Sequence, residues 1–152
     1  MITEANSSGA TLRAEIYAGS RHLATWNGGA TYFNHADWLG TERARTFGSG
    51  SQAGQICETI TSLPFGDGQT IDELNGGCGD PSPNHFSGRE RDSESGNDYF
   101  GARHYGSSLG RFLSPDPGPW IFLNPQSFNA YAYALNTHCV TRTMGVKPPR
   151  TG

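Results

Sequence analysis

The chain has little of what an independent globular core requires. Of its 152 residues only 34% are hydrophobic and 16% charged, and a small domain already buries a smaller share of its surface than a large one. The fold is therefore expected to lean on neighbouring structure. No apolar run approaches the roughly 20 residues of a membrane-spanning helix, which excludes such a helix. The opening Met1-Ile-Thr-Glu-Ala-Asn-Ser-Ser-Gly9 lacks the basic and apolar regions of a secretion signal, so no export instruction is expected there. Positive charge is also short. A formal net charge of −3 argues against nucleic acid, which prefers a basic face.

Cysteine is scarce too. Cys57, Cys78 and Cys139 lack metal-ligand spacing, and no metal or cofactor is expected. A Cys57–Cys78 disulfide suits an oxidising compartment. Three unpaired thiols is the preferred reading.

What the chain has in excess is punctuation, with 21 Gly and 9 Pro. Between these breaks lie short alternating segments. Thr11–Tyr17 and Arg21–Trp26 alternate apolar and polar residues as half-buried strands do. Asn27-Gly28 is a two-residue hairpin signal, because both positions tolerate positive φ, and Ala30–Asn34 is the return strand. Glu42–Phe47 and Gln55–Ser62 read as two more strands across a flexible Gly48–Gly54 turn.

The expected fold is mainly β: antiparallel hairpins in an open, incomplete sheet from about residue 11 to 105. One or two short helical turns are expected near Ser108–Leu113 and Phe128–Leu135. Open sheets expose edges that invite pairing with another chain or aggregation. Residues 1–10 are expected to be disordered and 68–84 to form a Gly/Asp/Pro-rich surface loop. Asp67, Asp72, Glu73 and Asp80 in and beside that loop fail the calcium-loop pattern of alternating oxygen ligands followed by Gly.

Two charge groupings invite chemistry. His35 and Asp37 share a strand face and could form a base with its orienting carboxylate. No Ser or Cys nucleophile of recognisable context accompanies them. Arg89-Glu-Arg-Asp-Ser-Glu94 reads as a network of ion pairs with a structural role.

The most specific segment is His85-Phe-Ser-Gly-Arg-Glu-Arg-Asp, continuing through Gly101-Ala-Arg-His-Tyr105 to Leu113-Ser-Pro-Asp-Pro117. It closely resembles the RHS-repeat-associated core, the C-terminal signature of RHS/YD-repeat proteins. The block Asp37-Trp-Leu-Gly-Thr-Glu-Arg43 resembles that family's Asp-x-Leu-Gly-Ser/Thr-x-Arg, and Leu63-Pro-Phe-Gly-Asp67 its hairpin-closing Pro-Phe-Gly. Tyr17 and Arg21 fall where a YD repeat has Tyr and Arg, although Ala18 replaces its Asp. The resemblance divides the chain into degenerate YD-repeat-like hairpins (11–67), the loop (68–84), the core signature (85–136) and a divergent tail (137–152). It implies a β-structured shell that wraps a toxin or mediates cell-surface contact. The implied location is secreted or at the cell surface, and the implied partners are the rest of the shell or a C-terminal toxin.

The same resemblance implies a self-cleavage site built like an aspartyl protease, with one Arg and an Asp in each of two Asp-Pro segments. Its Arg falls on Arg103 and its first Asp on Asp116. Two carboxylates sharing one proton would let one activate water while the other donates. The second Asp should follow Asn129-Ala-Tyr-Ala-Tyr-Ala-Leu-Asn136, but no carboxylate follows that segment. The site is therefore read as incomplete and inactive. One inserted adenine in suitable codons would turn Asn136–Gly145 into Asn-Asn-Pro-Leu-Arg-Asn-Thr-Asp-x-Gly, with Asp where Thr143 stands. Residues 137–152 then read as out-of-frame translation and a disordered tail.

Three function classes follow. The favoured one is a structural terminal segment of an RHS shell, without catalysis of its own. The alternatives are a self-cleaving protease core and a carbohydrate- or protein-binding module using Trp26, Tyr32, Trp38 and Trp120.

Overall fold

The computed structural model describes residues 2–79, 82, 84–118 and 121–136. Asp80, Trp120 and the divergent tail lie outside the described residues.

The chain is mainly β and open. Seven strands form one antiparallel meander in chain order: β1 (Ile2–Ala5), β2 (Thr11–Ala18), β3 (Arg21–Asn27), β4 (Ala30–Ala36), β5 (Glu42–Phe47), β6 (Ile56–Thr61) and β7 (Thr70–Glu73). A second, three-stranded sheet follows, with order β10-β9-β8, from β8 (Asp98–Tyr99), β9 (His104–Gly106) and β10 (Arg111–Phe112). Among the described residues, helical structure is limited to 3-10 turns at Phe86–Gly88, Ser107–Leu109, Pro125–Phe128 and Ala134–Asn136.

The hairpin between β3 and β4 closes one residue later than Asn27-Gly28 suggests. Asn27 pairs with Ala30, so Gly28 and Gly29 form the loop. Their φ values of 55° and 150° explain the choice, since the second is open essentially to glycine alone. Two further elements correct the sequence reading. Residues 1–10 contain β1, whose Thr3 pairs with Ala14 and Glu4 with Arg13. The Asn6 side-chain oxygen holds the turn back to β2, accepting from the Ser8 and Ala10 amides at 3.0 and 2.9 Å. The 68–84 loop contains β7, paired with β6 from Thr61↔Thr70 to Glu58↔Glu73.

The cysteine reading is corrected as well. Cys57 and Cys78 form a disulfide, with Cα atoms 5.1 Å apart. The turn after β7 folds back on β6, where the Leu74 amide donates to Cys57 O at 2.8 Å, and this brings the two residues together. Closing a loop of 21 residues is worth roughly 3 kcal/mol in the chain-entropy account.

Among the described residues, the buried aromatic side chains gather in two small clusters. One joins Tyr32 to the disulfide, with Ala30 and Phe47 against it. The other joins Phe86, Tyr105 and Phe112, with Leu39, Phe100 and Tyr133 packed around them. Phe86 stacks on Tyr105 at 5.2 Å between ring centres and meets Tyr133 edge-on at 5.1 Å. The Leu63–Gly66 turn docks on this second cluster, and the Tyr105 hydroxyl donates to Phe65 O at 3.0 Å. Gly66 is required there. Its φ is +86°, and a Cβ would sit 2.6 Å from Phe86 Cβ.

Candidate functional site

The seven-stranded sheet buries a set of polar side chains while several large apolar ones stay exposed. Leu12, Leu23 and Phe33 are exposed, whereas Glu15, His22, Asn34, Glu42, Arg45 and Glu58 are buried. Strand register explains how these polar groups share one face. Glu15 lies opposite Thr25 and Thr25 opposite Tyr32, while Asn34 lies opposite Arg45 and Arg45 opposite Glu58.

His22 is the centre of the arrangement. Its Nε2 lies 2.5 Å from Glu15 Oε2 and its Nδ1 lies 2.6 Å from Glu42 Oε1. Burial disfavours the imidazolium, but hydrogen bonds to Glu15 and Glu42 and the field of both carboxylates outweigh it, lifting the pKa to about 9. At neutral pH the ring is therefore doubly protonated and donates to both acids. Burial likewise opposes ionisation of Glu15, and hydrogen bonds from His22, Arg13 and Thr25 reverse the balance, bringing it to about 2. Arg13 Nε donates to Glu15, and the Thr25 hydroxyl donates to Glu15 Oε2 at 2.8 Å. Tyr17 stacks on the His22 ring at 4.8 Å. A second buried pair sits further along the same face: Arg45 Nε donates to Glu58 Oε1 at 2.6 Å, with its guanidinium over the Tyr32 ring.

The segment Asn84–Gly88 closes onto this network. Asn84 Nδ2 lies 3.0 Å from His22 Nδ1. The Ser87 amide donates to the Thr41 hydroxyl at 2.9 Å, and the Ser87 hydroxyl to Leu39 O at 3.1 Å. Behind it, Asp98 is fully buried, with His85 Nδ1 and Arg91 Nε each 2.9 Å from its Oδ1. Arg91 also donates to the Ser107 hydroxyl at 2.6 Å. The charge run from Arg89 to Glu94 is thus partly internal: Arg91 pairs with Asp98, Arg89 lies over the Phe100 ring, and Asp92 caps its own turn through Ser95.

Arg103 and Asp116, the sequence-derived catalytic candidates, do meet. Arg103 Nη2 donates to Asp116 Oδ2 at 3.0 Å, and its guanidinium lies 3.8 Å from the Phe112 ring centre. Asp116 Oδ1 accepts from the Gly118 amide at 2.9 Å, and half of the side chain is exposed. Arg103 Nη1 is buried with no hydrogen-bond partner among the described residues.

His35 and Asp37 do not form a pair. His35 Nε2 lies 3.0 Å from the Thr46 hydroxyl, while Asp37 accepts from the Leu39 and Thr41 amides and from Arg43 Nε. Asp37 is the cap of the β4–β5 turn. Of the aromatics considered for binding, Tyr32 is in a buried cluster, Trp26 is half-buried and Trp38 is exposed. Among the described residues no cluster of three or more His, Cys, Asp or Glu is placed to hold a metal.

No protein-family model matches the chain, and no curated protein sequence does. Solved structures do match. The pore of the Photorhabdus luminescens Tc holotoxin, with a mutated TccC3, aligns with 90% of this chain at 15% identity and a TM-score of 0.59. A TcdB2-TccC3-Cdc42 crystal structure aligns with 87% at 21% identity and a TM-score of 0.64, and a TcdB2-TccC3 crystal structure with 86% at 24% identity and 0.61. The fold resembles that of a portion of these Tc toxin chains. The chain spans only 6–10% of the length of these neighbours, so the likeness is to a small part of each.

Proposed function

We propose that this chain is a structural segment of an RHS-type shell, whose parent protein encapsulates or presents a C-terminal toxin, and that it has no catalysis of its own. The observation that carries the reading is the alignment of nearly the whole chain with a small portion of much longer Tc toxin chains. Two features of the molecule support it. The sheet is open at β1, and exposed Leu12, Leu23 and Phe33 leave apolar surface of the kind that further shell strands would cover. The buried charged groups Glu15, His22, Glu42, Arg45, Glu58 and Asp98 are each held in an ion pair, which suits a wall better than a reaction centre. The disulfide fits a secreted or cell-surface location.

The test is the DNA on both sides of the coding segment. In-frame YD repeats upstream and a toxin-coding segment downstream are the expected result. A free-standing gene with neither contradicts the proposal.

One observation favours a second reading, the self-cleaving protease core. The 3.0 Å Arg103–Asp116 contact leaves Arg103 Nη1 able to bind a second acidic group. On that reading purified chain is processed near its C-terminus and Asp116→Asn abolishes the processing.

A further inference from the structure

β7 is a short edge strand of the large sheet. It pairs on one side only, with β6. All four of its side chains are exposed. Its register sets Glu73 directly across from Glu58, a like-charge pair that opposes the pairing. Arg45 relieves part of that repulsion through its ion pair with Glu58.

Firmer anchorage begins where the segment rejoins β6. The Leu74 amide donates to Cys57 O at 2.8 Å, and Asn75 Nδ2 donates to Ile56 O at 2.9 Å. Gln52 donates to Asn75 O at 3.1 Å. Within Thr70–Gly79, Cys78 is the residue that enters an apolar cluster, where it packs with Cys57 and Tyr32. Both cysteines are essentially inaccessible, at 0% and 1% exposure. The one covalent tie of the edge is thus also its point of apolar burial.

We propose that the Cys57–Cys78 disulfide is a redox-operated clasp on β7. In the dithiol form β2 to β6 stay folded while Thr70–Leu74 separates from β6, and oxidation completes the seventh strand. In the closing step the two thiols give up two electrons and two protons as the S–S bond forms. A small-molecule disulfide accepts them and its own S–S bond becomes two thiols. Because both sulfurs are buried, an external thiol reaches the closed clasp only after the edge opens. The clasp therefore acts in the closing direction, as a maturation step on passage from a reducing to an oxidising compartment. This holds whether or not the parent is a toxin shell.

Hydrogen exchange of the full chain tests it, with Cys139→Ser as background to prevent thiol shuffling. The same preparation is compared after oxidation with glutathione disulfide and after reduction with dithiothreitol. Amides of Thr70–Leu74 are expected to exchange at least about 10-fold faster in the reduced protein, while those of Thr25–Asn34 stay within about twofold. Reoxidation should restore the slow rate, and Cys57→Ala with Cys78→Ala should reproduce the fast one. Equal protection of β7 in both states overturns the clasp. So does simultaneous loss of protection across β2 to β5, which would make the disulfide a staple of the whole sheet.

Discussion

Asn84 and His22, 62 residues apart in sequence, lie with amide nitrogen and ring nitrogen 3.0 Å apart. Both ring nitrogens of His22 already donate to Glu15 and Glu42, so this is a packing contact, and it sets the end of the 68–84 loop against the floor of the β-sheet. The two halves of the chain meet over a buried ionic centre and an aromatic cluster, and their relative placement depends on both.

Stability should therefore follow the protonation of that centre. His22 has a folded pKa of about 9 against an ordinary 6.5, so its contribution is fully present below 6.5 and is lost as pH rises through 9. Glu15 is lowered to about 2 from 4.5, so its contribution is fully present above 4.5 and is lost as pH falls through 2. Thermal unfolding across pH should give a plateau between about 4.5 and 6.5 with decline on both sides. A Tm unchanged from pH 6.5 to 9.5 contradicts the assignment.

Removing the cation from the centre should be severe. His22→Ala leaves Glu15 and Glu42 facing each other in a buried site and should cost about 3–5 kcal/mol in chemical denaturation, the usual range for breaking a buried ion pair. Loss below about 1 kcal/mol counts against it.

The Arg45–Glu58 pair offers a sharper comparison. Arg45→Met alone strands a buried carboxylate and should destabilise by about 3 kcal/mol or more. Arg45→Met with Glu58→Leu removes both charges and should recover most of that loss. A double variant as unstable as the single one shows that the pair is not isolated from its surroundings.

Gly66 and Gly50 separate backbone strain from crowding. Both have positive φ, +86° and +80°, but a Cβ on Gly66 would collide with Phe86 while one on Gly50 meets nothing within 4 Å. Gly50→Ala should cost about 1 kcal/mol and Gly66→Ala at least twice as much, read as a difference in denaturant midpoint.

Much of the strand order was legible because Thr11–Tyr17, Arg21–Trp26 and Ala30–Asn34 alternate and are punctuated by glycine. β1 and β7 were not. Their strand character comes from pairing with β2 and β6, and the exposed side chains of β7 leave no apolar alternation to detect. The ionic centre was hidden for a related reason. Alternation shows that two faces differ but does not say which is inward, and Glu15, His22, Asn34 and Arg45 go in while Leu12, Leu23 and Phe33 go out. The meeting of Arg103 with Asp116 followed from family resemblance, whereas pairing of Cys57 with Cys78 depended on β7, which the pattern did not reveal.

The shell reading is tested most directly by an experimental structure of the parent gene product. It predicts that β1 is continued, strand against strand, by preceding repeats, with Glu15, His22 and Arg45 still buried on the inner side of a closed β wall. A free-standing domain with β1 open to solvent and no surrounding wall would contradict it.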